Sequence, residues 1–168
     1  MTLEEMQCRD QFGHVLNDMG LTGTGVELGV FKGEYSNQLL RTWKGNLIVV
    51  DSYNEGTDFH LLWDSIRNNI EFVQDGRYRI IVNTTLSAVN YCPSELDFVY
   101  IDSDHSYDAV YTDIITWRSK IRSGGILCGH DYNELHRGVL EAVGRFTSYD
   151  MKESRLYLKE CSSWFIQV

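Results

Sequence analysis

Val26-Glu27-Leu28-Gly29-Val30-Phe31-Lys32-Gly33-Glu34-Tyr35-Ser36 runs from a β-rich apolar segment, through a glycine-bracketed turn, into a helical pattern. The part before the turn, Gly25 to Val30, is nearly continuous in apolar character, as a strand covered on both faces of a parallel sheet requires. Beyond it, Ser36 stands where a helix cap belongs, and Leu39, Leu40 and Trp43 recur at helical spacing before Gly45.

The same alternation continues on both sides. Strand-like runs follow at Leu47 to Asp51, Tyr78 to Val82, Leu96 to Asp102 and Ile126 to His130. Between them, Asp58 can cap a helix burying Phe59, Leu62, Ile66, Ile70 and Val73 before Gly76. Ser106 precedes a helix with Val110, Ile114, Trp117 and Ile121 on one face, and Val139, Leu140, Val143 and Phe146 mark the next. Upstream, Thr2 and Glu5 have capping-box spacing and Phe12, Val15, Leu16 and Met19 share a face, which predicts a helix over about residues 3–19. Downstream, Arg155 to Glu160 and Trp164 to Val168 are β-like runs joined by a link short enough for a hairpin, so an antiparallel pair should close the sheet. Strands alternating with helices imply an α/β architecture, and without a linker the chain reads as one domain, 1–168, with its core from about residue 25 onward.

Composition narrows the function. A chain of 168 residues, 43% hydrophobic and 23% charged, is long enough to bury a core without disulfides. Cys8, Cys92, Cys128 and Cys161 are widely spaced and read as reduced thiols, not as a zinc knuckle or redox pair. The net charge of −9, with scattered Lys and Arg, disfavours a nucleic-acid partner and leaves a small-molecule or sugar substrate. There is no apolar run of membrane-spanning length, and Met1 to Asp10 are polar where a signal peptide would be apolar, so no membrane partner and a cytoplasmic location are expected.

The acids cluster topologically. Glu27 lies in the first strand, and Asp51, Asp102 with Asp104, and Asp131 follow the second, fourth and fifth. Ligands of open parallel sheets bind at the carboxyl ends of strands, so these groups should converge on one crevice. Such a mouth repels a pyrophosphate but suits a ribose, an ammonium and a sulfonium, or a hard divalent cation. The dinucleotide fingerprint GxGxxG is absent, with Phe31 and Glu34 in place of its second and third glycines. A NAD-dependent oxidoreductase is therefore disfavoured and S-adenosylmethionine favoured. Gly29 and Gly33 permit close backbone approach, and Glu27 can engage an ammonium.

Val26 to Ser36 resembles motif I of class I S-adenosylmethionine-dependent methyltransferases. Asp51, ending Leu47-Ile48-Val49-Val50-Asp51, resembles the acid that binds the ribose hydroxyls in that superfamily. Tyr100-Ile101-Asp102-Ser103-Asp104-His105-Ser106-Tyr107 and Gly124-Gly125-Ile126-Leu127-Cys128-Gly129-His130-Asp131-Tyr132 are similar to a branch containing small-molecule and sugar O-methyltransferases. The resemblance implies a Rossmann-like doubly wound, three-layer αβα fold with seven strands ordered 3-2-1-4-5-7-6, strand 7 antiparallel. It implies S-adenosylmethionine as cofactor, with S-adenosylhomocysteine as product. The cofactor positions it implies are Glu27, Gly29, Val30, Phe31 and Gly33 in motif I, then Asp51 with Ser52, Asp102 with Ser103, and Asn83 and Thr84 near the adenine.

Catalysis admits two forms. In metal-dependent O-methyltransferases a divalent ion lowers the pKa of the acceptor hydroxyl, and Asp102, His130 and Asp131 here stand at similar places. His130 replaces the usual carboxylate, which makes Mg²⁺ less natural than a borderline metal. Without metal, His105 is the general base beside Asp102. Asp104 and Ser106 read as a turn acid and a helix cap, Tyr53, Tyr107 and Tyr132 as structural, and His14, His60 and His136 receive no role. A cofactor-binding protein of the same fold without catalysis is a further alternative. The walls 52–60 and 83–93 are too short for a lid, which points to an open acceptor site or one completed by a homo-oligomer.

Overall fold

The computed structural model describes residues 1–54, 58–148, 155–158 and 160–168. Residues 55–57 of the expected wall and residue 159 of the expected hairpin lie outside these. The strands are β1 (Thr24–Leu28), β2 (Asn46–Asp51), β3 (Tyr78–Val82), β4 (Leu96–Ile101), β5 (Ile121–Gly129), β6 (Arg155–Leu158) and β7 (Ser163–Gln167). They form one sheet in the order β3-β2-β1-β4-β5-β7-β6. β1 to β5 pair in parallel, while β7 runs antiparallel to both β5 and β6. The implied order and the antiparallel closure are both present. Parallel neighbours need crossovers, and these run through α2 (Glu34–Thr42), α3 (Phe59–Asn68), α4 (Ile70–Gln74), α5 (Thr85–Ala88) and α6 (Tyr107–Arg118), while α1 (Phe12–Asp18) precedes β1 and α7 (Arg137–Thr147) leads from β5 to β6.

Period-two alternation sends neighbouring strand residues to opposite faces. Leu47, Val49, Phe98, Tyr100, Ile126, Cys128 and Phe165 meet α1, α2 and α4 on one side. Val26, Leu28, Ile48, Val50, Val99, Leu127, Trp164 and Ile166 meet α5, α6 and α7 on the other. The result is three layers with a buried sheet. None of the four cysteines is bonded, and Cys92 and Cys128 are buried. No helix among the described residues is long and apolar enough to cross a membrane.

Local expectations are corrected in four places. The N-terminal helix breaks into 3-10 turns at Leu3–Glu5 and Arg9–Gln11 ahead of α1. Leu3, Met6, Phe12, Val15 and Leu16 all enter one core cluster. A straight helix would put the first two on the side opposite the others, so the chain must bend between them. Ser36 does not cap α2: the helix starts at Glu34 after left-handed Gly33, and Ser36 is buried within it.

The helix after Asp58 divides at Asn69 into α3 and α4, and the face it buries carries Ser65, Asn69 and Phe72. Phe59, Ile70 and Val73 are exposed instead. Asn69 Nδ2 donates to Gly33 O at 2.9 Å, and the Ser65 hydroxyl lies 2.7 Å from Tyr78 Oη. Buried polar groups must be paired, so these side chains claim the inner face and rotate the apolar stripe outward. Finally, β5 begins at Ile121, which pairs with Leu96 and does not extend α6.

Phe98 stands at the centre of the first face. It is fully buried, with ring centroids 5.3 Å from Phe12 and 5.0 Å from Trp43. Phe98→Ala should lower the unfolding free energy by about 3–5 kcal/mol through lost burial and an unfilled cavity, read from urea denaturation midpoints.

Candidate functional site

Parallel register aligns the carboxyl ends of β1, β2 and β4, and a cavity of about 870 Å³ opens there, within the range of small-molecule sites. The turn after β1 forms its floor. Gly29 has φ 81°, and a Cβ there would come within 2.0 Å of Asp102 O, so only glycine lets β1 and β4 close at this level. Gly33 has φ 69°, and its Cβ would meet Asn69 Nδ2 at 2.6 Å. Phe31 between them is left-handed with φ 52°, an uncommon conformation for a bulky residue.

That turn is held by Asp51. Its Oδ2 accepts from the Val30 and Phe31 amides at 2.8 and 3.1 Å, and its Oδ1 accepts from the Tyr53 amide at 3.1 Å. Tyr53 is itself left-handed (φ 39°) and buried, and its hydroxyl donates to Phe31 O at 3.1 Å.

Glu27 is 2% exposed, on the sheet face shared with Val49 and Tyr100. The Ser36 hydroxyl donates to its Oε2 at 2.5 Å. Burial pushes the carboxyl up to about 8, the Asp102 charge adds to this, and the Ser36 bond and Arg9 oppose it. Asp102, following β4, is also held above the usual carboxylate range, first by burial and then by Asp131, with His130, Arg9 and His105 counteracting. Ser103 Oγ donates to Asp113 Oδ2 at 3.1 Å. Asn83 Oδ1 accepts from the Thr84 amide at 2.8 Å, and Thr84 caps α5 by accepting from the Ser87 amide.

A second group of side chains adjoins Asp102. His105 Nε2 lies 2.7 Å from Asp131 Oδ2, while His130 Nδ1 and His136 Nδ1 each lie 3.3 Å from Asp131 Oδ1. Asp102 is 3.9 Å from His105 and 3.8 Å from His130. Asp131 takes the left-handed conformation with φ 56°, which aspartate tolerates. Donor atoms of Asp102, His130 and Asp131 lie within 4.8 Å of one another, as do those of His105, Asp131 and His136. Either set has the reach to share one divalent ion. Asp104 accepts from the Ser106 amide at 2.7 Å and serves the turn.

Every expected cofactor residue except Gly33 lines the cavity, and Gly33 closes the turn from behind. His105, His130 and Asp131 lie in the adjoining cluster, joined to the cavity through Asp102. Sequence reading missed Arg9, Tyr35, Asp113 and His136. Arg9 belongs to a segment assigned to a plain helix, and Asp113 is buried within α6, so periodicity carried no signal of their roles. Tyr35 stands within the Val26 to Ser36 motif, where the acid and the glycines carry the signal. His136 is brought in by a 3-10 turn, Glu134–His136, that no spacing announces.

The chain matches a family described as "Methyltransferase domain" over residues 26–132. A comparison with curated proteins finds no match. Among solved structures, the chain is similar to an O-methyltransferase from Bacillus cereus in complex with S-adenosylhomocysteine, with TM-score 0.72 and 12% identity over 95% of this chain and 80% of that one. It is also similar to the O-methyltransferase NovP, with TM-score 0.71 and 17% identity over 94% and 76% of the two chains. A third is the S-adenosylhomocysteine-bound methyltransferase PaMTH1 of Podospora anserina, with TM-score 0.65 and 14% identity over 86% and 70%. At these identities the likeness is one of fold.

The Glu27 shift predicts a pH effect with a definite sign. The unfolded carboxyl ionises near its ordinary value of 4.5, the folded one only near 8, so the folded chain loses stability as pH rises across that window. Glu27→Gln keeps an acceptor for Ser36 without the charge. Its melting temperature should exceed that of the parent by a margin that widens from pH 5 to pH 8. A margin constant with pH would show that Glu27 titrates normally.

Proposed function

The chain belongs to the methyltransferase-domain family, and on that premise we propose that it binds S-adenosylmethionine in the acidic cavity and methylates an oxygen of a small-molecule or sugar acceptor. The observation that carries this reading is the buried Glu27 at the cavity floor. A carboxylate is costly to bury without a cationic partner, and the ammonium of an amino-acid tail would supply one. The cavity fits such a ligand and not an anionic one: eight acidic side chains line it among the described residues, against Arg9 and Lys32.

Each residue then has a role. Glu27 receives the ammonium, ionising as it does so. Asp51 holds the Val30–Phe31 turn and retains acceptor capacity for ribose hydroxyls, since an ionised carboxylate offers about four lone-pair sites. Ser52 continues that wall, while Asn83 and Thr84 border the base. Asp102 and Ser103 stand between the donor cavity and the histidine cluster. Methyl transfer is an in-line displacement, so alignment of donor and acceptor supplies most of what the protein must do.

Acceptor deprotonation falls to the cluster around Asp131. His105 Nε2 stands 2.7 Å from Asp131 Oδ2, and a carboxylate at that distance would stabilise the imidazolium that a general base becomes. Asp102, His130 and Asp131 fit a divalent ion instead, whose chemistry would be Lewis-acid activation of the acceptor hydroxyl. Histidine among the ligands favours a borderline metal over Mg²⁺.

Titration calorimetry with S-adenosylhomocysteine tests the cofactor site. Glu27→Ala and Asp51→Ala should each weaken binding by about 10- to 150-fold, the loss of a charge-assisted hydrogen bond. Unchanged affinity in both folded variants would overturn the site.

Turnover with an acceptor panel separates the two forms of catalysis. Loss of activity in EDTA, restored by Mn²⁺ or Mg²⁺ and abolished in Asp131→Asn with cofactor binding intact, would establish the metal. Full activity in EDTA with a large loss in His105→Ala would establish the base. Cofactor binding without turnover on any acceptor would leave a binding protein.

A further inference from the structure

We propose that Arg9, carried into the cavity by the N-terminal segment, binds the carboxylate of the methyl donor's amino-acid end and makes the site selective for an α-amino-acid tail over a plain amine. This rests on the reading of the cavity as a methyl-donor site. The residue lies outside the stretch that matches the family, which begins at residue 26.

The placement follows from the bend in the N-terminal segment. Leu3, Met6 and Phe12 all pack into one core cluster, and the 3-10 turn Arg9–Gln11 that this requires lays the Arg9 side chain along the sheet face that carries Glu27. Arg9 Nη1 lies 3.3 Å from Tyr100 Oη, and Tyr100 is the cross-strand partner of Glu27 in the β1–β4 register. The guanidinium stacks 4.7 Å from the centroid of the Tyr35 ring, and Tyr35 packs on Tyr100 at 4.6 Å. Arg9 is thus held by two aromatic rings beside the buried acid, with its side chain 26% exposed.

Its donors are mostly unspent. A guanidinium carries five N–H groups in a planar fork. Among the described residues Arg9 makes one side-chain hydrogen bond, to Tyr100, and its approach to Asp102 Oδ2, at 4.0 Å, is too long for another. Tyr35 Oη, in the same corner, is buried with no hydrogen-bond partner among the described residues. Arg9 therefore keeps N–H groups beyond the one given to Tyr100, next to a Tyr35 hydroxyl that has no partner among the described residues.

The chemistry of the ligand completes the pattern. An amino-acid tail is a zwitterion whose two charges sit on one carbon. A pocket built only from acids would attract its ammonium and repel its carboxylate about equally. Glu27, which ionises as the ammonium arrives, and Arg9 beside it then offer opposite charges at neighbouring positions on one sheet face. The other cation lining the cavity, Lys32, places its ammonium 5.3 Å from the centroid of the exposed Phe31 ring.

A plain electrostatic role, in which Arg9 only offsets Glu27 and Asp102, makes a different prediction. Loss of the charge would then leave discrimination between tails unchanged. The experiment is titration calorimetry of the full chain with S-adenosylhomocysteine and with 5′-deoxy-5′-(3-aminopropylthio)adenosine, which lacks only the carboxylate. The parent should bind the first about tenfold or more tightly than the second, the worth of one charge-assisted hydrogen bond. Arg9→Gln should bring that ratio close to one, almost entirely by weakening S-adenosylhomocysteine. Arg9→Lys keeps the charge but not the fork, and should retain an intermediate ratio; it carries the test if Arg9→Gln fails to fold. A parental ratio near one, or a ratio unchanged in both variants, overturns the proposal. If the parent binds neither ligand, the donor site itself is wrong and the assignment of Arg9 falls with it.

Discussion

At Gly29 the first and fourth strands come so close that no side chain fits: a Cβ would lie 2.0 Å from the carbonyl oxygen of Asp102. That contact sets the geometry of the site. The Asp102 amide donates to Leu28 O at 2.7 Å and the Gly29 amide to Val50 O at 2.9 Å, so the ends of β4, β1 and β2 are tied at one level. The acids on these strands, Glu27, Asp51 and Asp102, therefore share one cavity. A methyl group at position 29 would have to part the strands, and with them the floor and both walls.

Convergence of acids is unfavourable by itself, since like charges brought together in a low-dielectric environment repel. The protein distributes this cost unequally. Asp51 spends its charge on three backbone amides. Asp113 is bonded to Ser103, and Asp102 faces His105, His130 and Arg9. Among the described residues Glu27 has one hydrogen-bond partner, the Ser36 hydroxyl, and stays protonated toward neutral pH. A group kept out of its preferred charge state at the bottom of a cavity is complementary to a ligand that brings the missing charge, and stability is given up locally to obtain this.

Asp102 connects two environments with different work to do. On one side is the cavity, shaped by a turn with left-handed residues at Gly29, Phe31 and Gly33. On the other are three imidazoles gathered round Asp131. In the proposed reading, donor alignment and acceptor activation fall to different residues.

Much of this was legible in the chain. Continuous apolar runs marked the five parallel strands, because a sheet covered on both faces tolerates few polar side chains, and the strand-end positions of Glu27, Asp51, Asp102 and Asp104 placed them in the crevice, whereas Asp131, expected there too, stands in the adjoining histidine cluster. Glycines 29 and 33 announced a tight turn because no other residue takes left-handed φ freely. Periodicity failed where tertiary contacts outweighed it. Ser65 and Asn69 displaced Phe59, Ile70 and Val73 from the inner face because buried polar groups had to pair with Gly33 and Tyr78. Ser36 became the partner of Glu27 and not a helix cap for the same reason. The placing of Arg9 and His136 was decided only by the folded structure, since each reaches its partners through a single 3-10 turn whose direction depends on what the neighbouring side chains bury. Local pattern determines which residues form strands, helices and turns; which polar side chains face one another across them is settled by packing and by the need to satisfy every buried charge.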